Sequence, residues 1–85
     1  MPEESRGVRR LTIPSVLTMA YKAETTIEEV VKWACLSGDE EECVCMAVME
    51  AVVNAIVHGN REDPQKHVDL EFDVQPERIS ITVRD

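Results

Sequence analysis

Eighty-five residues allow one domain that buries only about 60–65% of its unfolded surface, so residues 1–85 are expected to form a single domain with nothing left for a second. A net charge of −8, from 9 Lys and Arg against 17 Asp and Glu, repels phosphate backbones and anionic lipid, which argues against nucleic acid or a membrane surface and for a protein or small-molecule partner. At 44% apolar and 31% charged with few Gly and Pro, the chain is globular in composition.

No uninterrupted apolar stretch approaches the ~20 residues of a membrane span, and the charged start MPEESRGVRR is not followed by a signal-peptide core. The expected location is the cytoplasm. Cys35, Cys43 and Cys45 are an odd set without a secretion signal, so reduced, buried thiols are expected. Cys43 and Cys45, two apart on a helix, face opposite ways, and a structural zinc site is not expected.

In chain order, residues 1–7 are polar and expected to fray. Val8–Ile13 reads as a half-exposed strand, with Leu11 and Ile13 on one face and Arg10 and Thr12 on the other. Pro14 ends it. Ser15 can cap a helix running to about Leu36, whose stripe is Ile27, Val30, Val31 and Ala34. Thr25 and Thr26 are poor helix formers that leave a break open.

Ser37 and Glu40 have capping-box spacing, and Asp39–Glu42 load the next first turn with negative charge, where the helix dipole favours it. The acidic run is read as a helix start, with a docking patch as the alternative. The apolar run Val44–Val57 is too long for a strand and reads as a buried helix. Gly59 and Asn60 end it, and Arg61–Lys66 form a polar loop around Pro64.

Val68, Leu70, Phe72 and Val74 alternate with Asp69, Glu71 and Asp73, a strand with one wet face. Gln75–Arg78 makes a turn into a second strand of Ile79, Ile81 and Val83, giving an antiparallel hairpin. The expected class is α+β: a two-layer sandwich with helices on one face of a mixed or antiparallel sheet.

Inside the apolar helix, Glu50, Asn54 and His58 recur every four residues and form one narrow stripe, with Val48 and Val52 pointing the other way. Two readings stay open. The stripe is either the solvent face of a core helix closed by a Gly59 C-cap, or the lining of a site in which a carboxylate and an amide oxygen one turn apart supply a base and a hard ligand for Mg²⁺.

The pattern Glu-Ala-x-x-Asn-Ala-x-x-His-Gly over Glu50–Gly59 resembles the N box of the Bergerat-fold (GHKL) ATPases, in the form carried by anti-sigma-factor serine kinases of partner-switching systems. The strand before the first helix, the loop after the stripe and the final strand ending Arg84-Asp85 are similar in order to that family. The resemblance implies that Asn54 coordinates Mg²⁺ bridging the phosphates of ATP, that Glu50 accepts the proton of an attacking serine hydroxyl or water, and that His58 orients a phosphate or water. It implies that Asp85 accepts a hydrogen bond from the adenine amine. Residue by residue, His58 beside a helix end and Asp85 at a strand end are equally ordinary structural choices.

Of the family's Asp-x-Gly-x-Gly motif only the Asp is here, so the expectation is the N-terminal part of a histidine-kinase-like ATPase domain, holding ATP weakly by itself. The implied function of the parent protein is an ATP-dependent serine kinase and anti-sigma factor. Its implied partners are a sigma factor and an anti-sigma-factor antagonist protein, and it is expected to dimerise. The rival is a non-catalytic module of the same fold that sequesters a sigma factor or antagonist. A histidine-kinase catalytic domain is third, since no phospho-acceptor helix precedes it.

Overall fold

The computed structural model describes residues 7–75 and 78–85. Strand β1 (Gly7–Pro14) leads through a 3-10 turn (Leu17–Met19) into α1 (Ala20–Trp33). Helix α2 (Gly38–Asn54) continues as a π turn (Ala55–Gly59), and β2 (His67–Gln75) and β3 (Arg78–Arg84) complete the chain. The strands form one antiparallel sheet in the order β1-β2-β3. Both helices lie on one face, which is the expected α+β sandwich.

The register explains why one face is dry. Leu11 pairs with Leu70 and Ile13 with Val68, while Ile79, Ile81 and Val83 pair with Val74, Phe72 and Leu70, so apolar side chains line up in rows across all three strands. As the central strand, β2 contributes the most deeply buried row, Val68, Leu70, Phe72 and Val74 at 0–2% exposure. Ile27 and Val30 from α1 and Val52 and Ile56 from the second helix close over it.

The other face is wet. There Arg10 Nε meets Glu71 Oε2 at 2.8 Å and Thr12 Oγ1 donates to Asp69 Oδ1 at 2.7 Å. Arg9 falls in the same row as Leu11 and Ile13, where its guanidinium pairs with Glu29 at 2.8 Å and sits 5.9 Å from the centroid of the Trp33 ring. It seals the edge between β1 and α1 with a cation over an aromatic face.

Several expectations are corrected. Ser15 is no cap: it is fully buried, its N–H donates to the Lys66 carbonyl at 2.9 Å, and the helix begins five residues later after the 3-10 turn. No break occurs at the threonines, because Thr26 is buried and Thr25 Oγ1 bonds back to the Tyr21 carbonyl at 3.1 Å. α1 stops at Trp33, before Leu36, where Cys35 turns into the left-handed region at φ 55°. The cysteines are not buried either: Cys35 and Cys43 are exposed and Cys45 is half-buried, all as free thiols.

The capping box is present. Glu40 N–H donates to Ser37 Oγ at 3.2 Å and Ser37 N–H to Glu40 Oε1 at 2.8 Å. The helix it starts is amphipathic rather than buried: Val48, Val52 and Ile56 enter the core, while Met46 is 68% exposed and Val53 37%. From Gly38 to Gly59 it runs 22 residues, long and apolar enough by composition to cross a membrane. Glu50 and Asn54 interrupt its apolar residues, so the chain still holds no uninterrupted apolar stretch of that length.

The expected frayed start lies outside the described residues except for Gly7, which opens β1. The turn expected at Gln75–Arg78 likewise holds residues 76–77 outside them, although Gln75 and Arg78 face each other across the ladder.

Candidate functional site

Glu50, Asn54 and His58 are all exposed, on the face of the second helix opposite Val48, Val52 and Ile56. The spacing therefore does what helical geometry requires, carrying three polar groups along one side while the core side stays apolar. Among the described residues no side-chain hydrogen bond or ion pair within the chain engages the three. Their polar atoms face outward.

The helix ends at Gly59 and Asn60 as expected, but not through the expected cap. Gly59 is no left-handed C-cap: it belongs to the π turn, and the left-handed residues are Arg61 and Glu62, both at φ 54°. A different reason for glycine appears here. A Cβ at position 59 would overlap the Asp85 carboxylate, so the missing side chain is what lets the end of β3 reach the helix. The structure thereby brings Asp85, distant in sequence, against the residue that follows His58.

Asn60, read from the sequence only as a helix-ending residue beside Gly59, is 5% exposed. Its N–H donates to the Ala55 carbonyl at 2.8 Å, its Nδ2 to the His67 carbonyl at 2.9 Å, and its own carbonyl accepts from the Asp63 N–H at 3.1 Å. Polarity next to a helix-ending glycine normally predicts exposure, so nothing in the local pattern marks it. Its burial follows from where β2 starts, at the far end of the loop.

The arrangement suits a ligand that brings anionic oxygens of its own. The Asn54 amide offers a neutral hard oxygen, and Glu50 one turn earlier a carboxylate. Among the described residues no three of His, Cys, Asp and Glu come together as metal ligands. A cation at Asn54 would take most of its coordination from the ligand and water, the pattern by which Mg²⁺ is held with phosphates. The chain's residues fit Mg²⁺-nucleotide on that ground. Asp85 can accept a hydrogen bond at the other end of the group.

A concavity of about 500 Å³ lies elsewhere, between α1 and α2, walled by Glu28, Glu41, Glu42 and Lys32 over Val31 and Cys45. Burial pushes the Cys45 thiol up, with the carboxylates of Glu28, Glu41 and Glu24 adding to it, so Cys45 is a poor nucleophile at neutral pH.

Residues 13–85 match the histidine kinase-like ATPase domain family. Over 82 residues, 96% of the chain, it is 33% identical to proteins named anti-sigma F factor from Clostridium perfringens strains SM101, ATCC 13124 and 13. The matched part is 49% of each of those proteins, so the chain spans about half the length of the curated relatives it matches. No solved structure matches.

Proposed function

From a chain that belongs to the histidine kinase-like ATPase domain family, we propose the ATP-binding part of a cytoplasmic anti-sigma regulatory factor that is also a serine kinase acting on an antagonist protein. The observation that carries this reading is the outward stripe of Glu50, Asn54 and His58 with Asp85 seated against Gly59. The likeness to anti-sigma F factors supports the regulatory role and a sigma factor as one partner. Dimerisation belongs to the same proposal.

Phosphoryl transfer asks a protein for positioning and charge neutralisation more than for covalent chemistry. When bound, Mg²⁺-ATP supplies the transferable phosphoryl group. Asn54 would hold the Mg²⁺ through its amide oxygen, and Asp85 would accept a hydrogen bond from the adenine amine. Glu50, exposed and one turn from Asn54, would take the proton of the attacking serine hydroxyl at its carboxylate. His58, on the same face, would orient a phosphate oxygen.

The rival reading, a binding module without catalysis, rests on the same fold and makes a different forecast. In a protein of the relatives' length, Glu50→Gln keeps shape but cannot accept the proton, so phosphotransfer is expected to fall by about 10² to 10⁴. ATP affinity and melting temperature should stay near those of the wild type. If neither protein transfers phosphate to an antagonist while both retain the sigma factor, the module reading replaces the kinase. Transfer at the wild-type rate by Glu50→Gln would remove Glu50 from the chemistry.

A further inference from the structure

The last turn of the second helix departs from α geometry at the proposed site. Over Ala55–Gly59 the backbone is π-helical, closed by the Asn60 N–H to the Ala55 carbonyl five residues back. Such wide turns are rare, occurring mostly as single-turn bulges inside α-helices. An α-helix carries residue i+4 about 40° past residue i. A turn closed at i+5 advances each residue by less, so four residues come closer to a whole turn. Through the π turn His58 returns toward the line of Glu50 and Asn54, where continued α geometry would carry it further round the helix.

The π turn has a tether. Asn60 is buried, and its Nδ2 donates at 2.9 Å to the carbonyl of His67, the first residue of β2. Beside it, the Ser15 N–H holds the Lys66 carbonyl at 2.9 Å and the Glu62 N–H holds the Ile56 carbonyl at 2.7 Å. The helix end is thus fastened to the sheet through one amide side chain. Without that donor the His67 carbonyl would lose its partner, and the helix end could revert to the tighter i→i+4 closure.

We propose that Asn60 is a positioning residue of the nucleotide site, holding the π turn that aligns His58 with Glu50 and Asn54 and places Gly59 beneath Asp85. The inference rests on the nucleotide-site reading above. Asn60 touches none of the reacting groups; it acts through the helix end.

The test separates the two claims. In the 85-residue chain, the through-hydrogen-bond NMR coupling from the Asn60 amide nitrogen to the Ala55 carbonyl carbon reports the π turn, and the His58 ring signals report its place. Asn60→Asp keeps the size but loses the donor at neutral pH. It should lose the coupling to Ala55 and shift the His58 signals away from those of the wild type at the same pH, and acidification that protonates the new carboxyl should restore the coupling and bring the His58 signals back to those of the equally acidified wild type. Asn60→Ala should lose them at every pH while the buried Leu70 and Phe72 keep their folded chemical shifts, a combination that a general loss of stability would not give, and it serves alone if Asn60→Asp does not fold.

At the relatives' length, both variants should bind Mg²⁺-ATP about tenfold more weakly at neutral pH, the scale of one lost hydrogen bond of about 1.4 kcal/mol. Persistence of the Ala55 coupling and His58 signals in Asn60→Asp overturns the positioning role, whatever the affinity does. Lost coupling with unchanged affinity overturns the link to the site. If wild type at that length binds no Mg²⁺-ATP, the nucleotide reading fails, and with it Asn60's part in such a site.

Discussion

Ser37 and Glu40 show at the scale of single residues how much a short helix start depends on two side chains. Each satisfies the other's backbone N–H, and accepting those bonds holds the Glu40 carboxyl below the usual glutamate range, the backbone bond contributing most. A carboxylate lowered in the folded state contributes stability that is fully present above its unfolded value and is lost as pH falls through the folded one. Acidification below the ordinary 4.5 should therefore destabilise the wild type more than Glu40→Gln, a comparison that thermal melts at pH 7 and pH 3 provide. Ser37→Ala should lower stability at neutral pH by about 1 kcal/mol, as N-cap removals do. Equal melting temperatures would mean that the cap contributes nothing to the cooperative unit.

At the scale of the element, Gly59 sets two preferences against each other. It lies in helical backbone outside the left-handed region, so alanine there should gain up to about 1 kcal/mol in helix propensity. The same methyl would displace the Asp85 carboxylate, an exposed group that can swing away without disturbing the core. Gly59→Ala is thus expected to melt at or above the wild-type temperature. In a protein of the relatives' length it should bind ATP about tenfold or more weakly, a difference of 1.4 kcal/mol. Calorimetric titration beside thermal unfolding measures both. Wild-type affinity in this variant would take Asp85 out of the binding site, while a large loss of stability would show that Gly59 is needed by the fold itself.

For the whole molecule, the sheet and its two helices make a core that β2 threads, but the outer side of the second helix leaves Met46 and Val53 uncovered. The polar stripe beside them opens directly to solvent. A nucleotide held only by such a face stays hydrated, and its contacts are weakened by competition with water. The 85-residue chain is accordingly expected to bind ATP far more weakly than a protein of the relatives' length, roughly twice that of the matched segment. Titration of both with a fluorescent ATP analogue checks this. Equal affinities would mean that the half present here forms the complete site.

Much of this protein was legible in local pattern, because the forces that set it are local. Strict alternation in Val68–Val74 and Ile79–Val83 specifies two strands with one dry face. The four-residue spacing of Glu50, Asn54 and His58 specifies a common helix face, and the Ser37–Glu40 interval a helix start, since each depends only on backbone geometry. What distance along the chain conceals was decided by packing. Ser15 looked like a cap and became a buried strand-end residue because its N–H is taken by Lys66, fifty-one positions on. Gly59 looked like a helix terminator, and its actual constraint is the carboxylate of Asp85, brought to it by β3. Asn60 looked like no more than a helix end and is buried because β2 begins beside it, where its amide bonds to His67. The π turn follows from the same closure: no residue within Ala55–Gly59 demands it, and only the attachment of the helix end to the sheet holds it open.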